Sequence, residues 1–149
     1  IRVFIGSEPS SNVEVNENNF KELFVEMESE IKLWIIETRS KIDDWVKKYG
    51  RLRAKAFPGR SAILIKLLHL DEKHISAVYE IKGSIKVGHY VPGTRIPIMP
   101  ESDLYLMQDQ TQPILNLAWH LPQEVRANLK KNGYSGDVLN LKELVAPAP

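Results

Sequence analysis

The stretch Leu52-Arg53-Ala54-Lys55-Ala56-Phe57-Pro58-Gly59-Arg60-Ser61-Ala62-Ile63-Leu64-Ile65-Lys66-Leu67-Leu68-His69-Leu70, followed by Ile75-Ser76-Ala77-Val78-Tyr79-Glu80, decides the fold. A short apolar run, Leu52 to Phe57, meets a Pro-Gly turn; a helical segment over Ser61–Leu70 comes next; a second apolar run then closes the unit. Short runs alternating with helical segments are the signature of an α/β sheet. The same alternation recurs downstream, with an apolar run at Ile114–Trp119, a helix at Pro122–Lys131 and a weaker run at Asp137–Leu141. Pro122 suits a first helical turn, and Asn132-Gly133 suits a helix end.

Upstream, the period changes. Phe20, Leu23, Phe24, Met27, Ile31, Trp34, Ile35, Ile42, Trp45, Val46 and Tyr49 recur at spacings of three and four, one stripe on a long helix. Asn16 or Asn18 can cap its start, Lys47 and Lys48 favour the negative end of its dipole, and Gly50 supplies the stop. Over Asn18–Tyr49 such a helix spans roughly 45 to 50 Å at about 1.5 Å per residue, more than a compact domain of this size needs. It reads as a connector that packs one face on the domain and bridges to a neighbour, or as two helices broken near Thr38 to Ser40. The expected organisation is residues 1–50 as an N-terminal strand, Ile1-Arg2-Val3-Phe4, plus the connector helix, and residues 51–149 as the C-terminal domain. A chain opening on a strand without Met is expected to be part of something longer.

Composition excludes several classes. The 149 residues carry 20 Lys+Arg against 19 Asp+Glu, a formal net charge of +1, so no global basic field draws in nucleic acid. No apolar run approaches the roughly 18 residues of a membrane span. The absence of cysteine removes disulfides, thiolate nucleophiles and Cys-based zinc sites, and suits a reducing, cytoplasmic location. His69 and His74 lack a second ligand at metal spacing and read as surface groups, so no metal is expected.

Three segments carry candidate chemistry. The turn Phe57-Pro58-Gly59-Arg60-Ser61 lies between a strand and a helix, where backbone N–H groups and the Arg60 guanidinium can hold a phosphate. On motif grounds it reads first as a plain strand-to-helix turn, since it has one glycine and lacks both the Walker and the Gly-x-Gly-x-x-Gly patterns. The stretch Glu80 to Ile98 holds Gly83, Gly88 and Gly93, with Lys86, His89, Tyr90, Thr94 and Arg95 among them. Small residues let backbone approach a ligand, while Lys86 and Tyr90 can meet phosphate or sugar hydroxyls; the other reading is an ordered loop with a turn at Val91-Pro92-Gly93-Thr94. Trp119-His120 closes a strand and offers a stacking plane with a titratable imidazole at the carboxyl edge, or simply packs beneath the loop.

Taken together, these residues resemble a family. Gly83-Ser84-x-Lys86-x-Gly88-x-Tyr90-x-Pro92-Gly93-Thr94-x-Ile96-Pro97-Ile98, followed by a strand ending Ala118-Trp119-His120, is similar to the C-terminal domain of the S-adenosylmethionine-dependent sugar C-methyltransferases. The opening strand resembles the one that closes that family's methyltransferase domain. Two departures stand out. Where the family turn reads Gly-x-Gly-Ala-x-x-Lys/Arg, this chain has Ala54, Ala56, Phe57, Pro58 and Gly59 leading to Arg60; and Leu139-Asn140-Leu141-Lys142 replaces the closing Pro-Leu-Pro.

The resemblance implies a Rossmann-like α/β lobe with a mostly parallel sheet. It implies substrate binding by Arg60, Lys86, Tyr90, Thr94, Trp119 and His120 to a nucleotide-linked keto-sugar of deoxysugar biosynthesis. S-adenosylmethionine, the catalytic base and the upstream methyltransferase domain on which this one packs lie outside the chain, so no catalytic residue is expected within it. Two other readings remain: a non-catalytic α/β module binding a nucleotide or sugar, and a helix-led protein-interaction domain.

Overall fold

The computed structural model describes residues 19–141. The Ile1–Phe4 strand, the Asn16 and Asn18 caps and the residues from Lys142 on lie outside that range. The element order is α1 (Phe20–Tyr49), β1 (Leu52–Lys55), α2 (Ser61–Leu67), β2 (Ile75–Glu80), β3 (Ile98–Pro100), α3 (Glu101–Tyr105), β4 (Ile114–Asn116), α4 (Pro122–Lys131) and β5 (Val138–Asn140). No helix among the described residues is long and apolar enough to cross a membrane.

The five strands form one sheet in the order β3-β2-β1-β4-β5, and every pairing is parallel. The chain builds outward from β1 to β2 and β3, then crosses back to the other side of β1 for β4 and β5. That reversal between β1 and β4 is the switch point where loops diverge and leave a crevice at the carboxyl edge. Alternation along each strand sorts the side chains into two cores. Leu52, Ala54, Val78 and Leu115 face α1 and α2 with Ile42 and Ile65, while Ala77, Tyr79 and Ile114 face α3 and α4 with Leu104, Val125 and Leu129. A sheet buried on both faces by helices is the doubly covered α/β architecture expected from the sequence.

Several boundaries differ from the sequence expectation. The runs Leu52–Phe57 and Ile114–Trp119 leave the sheet early, at Lys55 and Asn116, because Ala56 turns into the left-handed region (φ +64°) and the Asn116 side chain bonds the next turn. The segment Ile98–Tyr105, which has no strand or helix pattern of its own in the sequence, supplies β3 and α3. α1 runs unbroken through Thr38 to Ser40.

The C-terminal half of α1 lies on the domain, with Trp34, Ile35, Trp45 and Val46 packed around the buried Ile42. Arg39 locks it there. Its Nη1 donates to Leu68 O (2.8 Å) and His69 O (2.7 Å), carbonyls that end α2, and its Nε donates to Asp43. Its Nη2 meets His74 Nε2 at 2.5 Å. The other ring nitrogen, Nδ1, lies 2.6 Å from Asp71 Oδ1 and 3.2 Å from Asp71 N, so the imidazole joins α1 to the turn before β2. His74 is therefore an interior tie, not the surface group expected. α2 ends with Leu70 N–H on Ile65 O and His69 N–H on Lys66 O, a cap in which His69 (φ +48°) holds the position usually given to glycine. α4 ends the same way, Tyr134 N–H on Leu129 O and Gly133 N–H on Lys130 O, with Gly133 at φ +83°.

Candidate functional site at the carboxyl edge

At the carboxyl end of β1 the chain turns at Phe57, whose two flanking peptides are both held. Phe57 N–H donates to Glu80 Oε1, at the end of β2, and Phe57 C=O accepts from Lys86 Nζ, in the loop after β2. The Lys86 ammonium also lies 5.7 Å from the Phe57 ring centroid. Ala56 N–H reaches back to Tyr79 O (2.9 Å), Ser61 N–H closes the turn on Pro58 O (2.9 Å), and the buried Ser61 hydroxyl donates to Leu117 O (3.0 Å), tying α2 to the strand across the switch point. With Phe57 and Ser61 N–H engaged, the turn is held as a shelf that keeps the N–H groups of Gly59 and Arg60 without a partner among the described residues.

Polar side chains that end the strands stiffen the shelf. Lys55, 3% exposed, pairs with Glu101 Oε2 at 2.5 Å, and the Tyr105 hydroxyl donates to Asn128 Oδ1 (2.7 Å) while lying 3.4 Å from the same Glu101 oxygen. Burial first, and then the Glu101 charge, push the Tyr105 hydroxyl up to about 12. On the other side of β1, Asn116 donates to Asn140 Oδ1 (2.7 Å) and accepts from Ala118 N–H (2.9 Å). That second bond fixes the turn carrying Trp119 and His120, which closes with Leu121 N–H on Ala118 O. Lys55, Glu101, Asn116 and Asn140 belong to no candidate motif in the sequence, and Glu80 stands there only as the first residue of the loop. The signal that could have found them is an apolar run closing on a polar residue, repeated in four strands.

The six candidate ligand residues do not all come together. Arg60 leads into α2 at the carboxyl edge, exposed. Lys86 reaches the same turn through Phe57 O, and Trp119 packs on the core that includes Phe57, with its ring 5.6 Å from that of exposed His120 in an edge-on contact. From Lys86 the chain descends along the outside of β3: Gly88 N–H bonds Ile98 O, and Tyr90 bridges Pro97. Tyr90 thus lies mid-sheet on this outer edge, 63% exposed. Thr94 lies lower still, in the expected Val91–Thr94 turn. Gly93 (φ +77°) takes the third position of that turn, the Thr94 hydroxyl donates to Val91 O, and the neighbouring Arg95 N–H reaches Glu72, which precedes β2. Thr94 therefore sits toward the amino edge of the sheet, apart from Arg60, Lys86, Trp119 and His120.

A family model described as the C-methyltransferase C-terminal domain matches residues 13–139. The chain belongs to that family. No curated protein matches it. The match takes in α1 and all five strands but for the last residue of β5. The β1–α2 turn has no glycine at its start, Phe57 is engaged through both N–H and C=O, and Ser61 N–H is taken by Pro58 O.

Proposed function

We propose that this chain is the substrate-positioning lobe of an S-adenosylmethionine-dependent C-methyltransferase acting on a nucleotide-linked keto-sugar. The observation that carries the reading is Lys86: its ammonium is anchored at the carboxyl edge by Phe57 O, which takes one of its three N–H donors and leaves two for a ligand beside Arg60, Trp119 and His120. The diphosphate is met by Lys86 and Arg60, whose guanidinium has no partner among the described residues. Trp119 and His120 offer a flat face and an imidazole to the nucleotide, and Tyr90 extends the surface outward.

Methyl donor and proton-abstracting base belong to an upstream methyltransferase domain of the same cytoplasmic protein. The half of α1 that projects past the sheet, with Phe20, Phe24, Met27 and Ile31 exposed, packs against that domain. It is the N-terminal half, so it is tethered directly to whatever precedes it in the chain. This lobe contributes orientation, where a misplacement of about 1 Å costs on the order of a hundredfold in rate.

Calorimetric titration of the chain with thymidine diphosphate and a thymidine-diphospho-sugar tests the reading. The expected result is saturable binding, weakened about tenfold or more by Lys86→Met, which keeps the aliphatic stem and removes the charge. Equal binding by both chains would remove Lys86 from the site.

A further inference from the structure

Glu80 is a carboxylate with one hand occupied. It ends β2 beside β1, is 8% exposed, and gives Oε1 to the N–H of Phe57. Its other oxygen accepts no hydrogen bond from the described residues. The buried side-chain atoms without a partner are Thr38 Oγ1 and Gln110 Oε1. Oε2 is not among them, so it reaches solvent at the carboxyl edge. Alternation along β2 sets its direction, since Glu80 shares a face with Val78 and points toward the core that contains Phe57. Neither Lys82, the cation nearest in sequence, nor Lys86, which is engaged with Phe57 O, makes an ion pair with Glu80 among the described residues. A carboxylate nine-tenths buried, with one oxygen held by the turn and the other open to solvent, is fixed in direction and keeps an acceptor free for a ligand's donor.

We propose that Glu80 Oε2 accepts a sugar hydroxyl of the bound nucleotide-linked ligand, while Oε1 keeps the β1–α2 turn in place. The inference rests on the substrate reading above and assigns its sugar-recognising residue. An acidic side chain ending the second strand, one strand from the switch point, is placed to take a hydroxyl of a nucleotide whose phosphates lie over the first turn. Lys86 and Glu80 then divide the ligand across one shared residue: the ammonium on Phe57 C=O faces the diphosphate, and the carboxylate on Phe57 N–H faces the hydroxyl. The hydroxyl belongs either to the pentose or to the hexose, and the ligands distinguish them.

The test is a cycle of ligand and protein changes on the full 149-residue chain, read by calorimetry. Thymidine 5′-diphosphate is compared with its 3′-deoxy analogue, and with thymidine diphosphoglucose, in the native chain and in Glu80→Gln. Glutamine keeps an acceptor for Phe57 N–H and turns the free oxygen into a donor. The expected result is that removing the 3′-hydroxyl weakens binding to the native chain about tenfold or more and leaves Glu80→Gln unaffected. A hexose contact gives the same pattern one step out: the glucose adds affinity in the native chain and none in Glu80→Gln.

A uniform loss in Glu80→Gln, with hydroxyl sensitivity intact, marks a purely structural carboxylate and overturns the inference while the substrate reading stands. If neither sugar matters to the native chain, the inference fails whatever the variant does, so a variant that does not fold cannot rescue it. If the native chain is sensitive and Glu80→Gln does not fold, Glu80→Asp, which withdraws the carboxylate by one methylene, must lose the sensitivity; retention overturns the inference. No nucleotide binding at all by the native chain overturns the substrate reading, and this inference with it.

Discussion

Ala56 carries a backbone conformation that its side chain opposes. At φ +64° an L residue pays about 1–2 kcal/mol relative to glycine, and here the position comes straight after the last residue of β1 and feeds the turn on which Phe57, Arg60 and Lys86 converge. The family pattern that this segment resembles has glycine at the corresponding place. Ala56→Gly should relieve the strain at some cost in unfolded-state entropy, a net gain of up to about 1 kcal/mol in urea unfolding. A loss of stability would mean that the methyl group packs more usefully than its backbone angle suggests. At this scale the sequence is informative about residue type and poor about neighbourhood. Lys86 and Thr94 stand eight positions apart in one Gly/Pro-rich loop and read as partners, yet the loop descends from the carboxyl edge toward the amino edge and carries them apart. Glu80, by contrast, reads as the first polar residue after a strand, and only its bond to Phe57, 23 residues away, reveals a second role.

Among the elements, α1 is the one whose burial is most uneven. Its 30 residues at about 1.5 Å each make a rod of about 45 Å, of which only the C-terminal half is held by Arg39, Ile42 and Trp45. Thr38, in the held half, is fully buried and its hydroxyl has no partner among the described residues. Valine has nearly the same shape without the hydroxyl, so Thr38→Val should raise stability by about 1 kcal/mol in the same urea assay. A loss instead would show that the hydroxyl is satisfied in solution, by water or by the helix backbone. The apolar period made this helix legible from sequence, as it did α4 and the strands β1, β2 and β4. β3 and α3 escaped for a physical reason. Three strand residues just after Pro97, then five helical ones, are too short for either period to declare itself, and the strand owes its place to pairing with β2 rather than to its own pattern.

For the molecule as a whole, the two faces of the sheet differ in chemistry, and that difference makes stability depend on alkaline pH. The packed residues of the face covered by α1 and α2 include no tyrosine, whereas the face under α3 and α4 holds Tyr79, Tyr105 and Tyr134 together with the Lys55–Glu101 pair. Burial is the first cause raising all three phenols above their ordinary range, and Tyr105, beside Glu101, is pushed up to about 12. A phenol is neutral when protonated. Below about pH 10 both folded and unfolded chains hold the proton, and the shift has no effect on stability. Between about 10 and 12 the unfolded chain releases it while the folded chain retains it, so the unfolded state is favoured and stability falls as pH rises. Tyr105→Phe removes the largest of these contributions. Urea midpoints measured from about pH 8 to 11.5 should decline more steeply for the native chain than for Tyr105→Phe, with ultraviolet absorbance of the phenolate confirming late ionisation of the folded phenols. The variant should keep some slope of its own from Tyr79 and Tyr134. Parallel declines would place Tyr105 in water rather than under α4, and with it would loosen the buried Lys55–Glu101 contact that braces the end of β1.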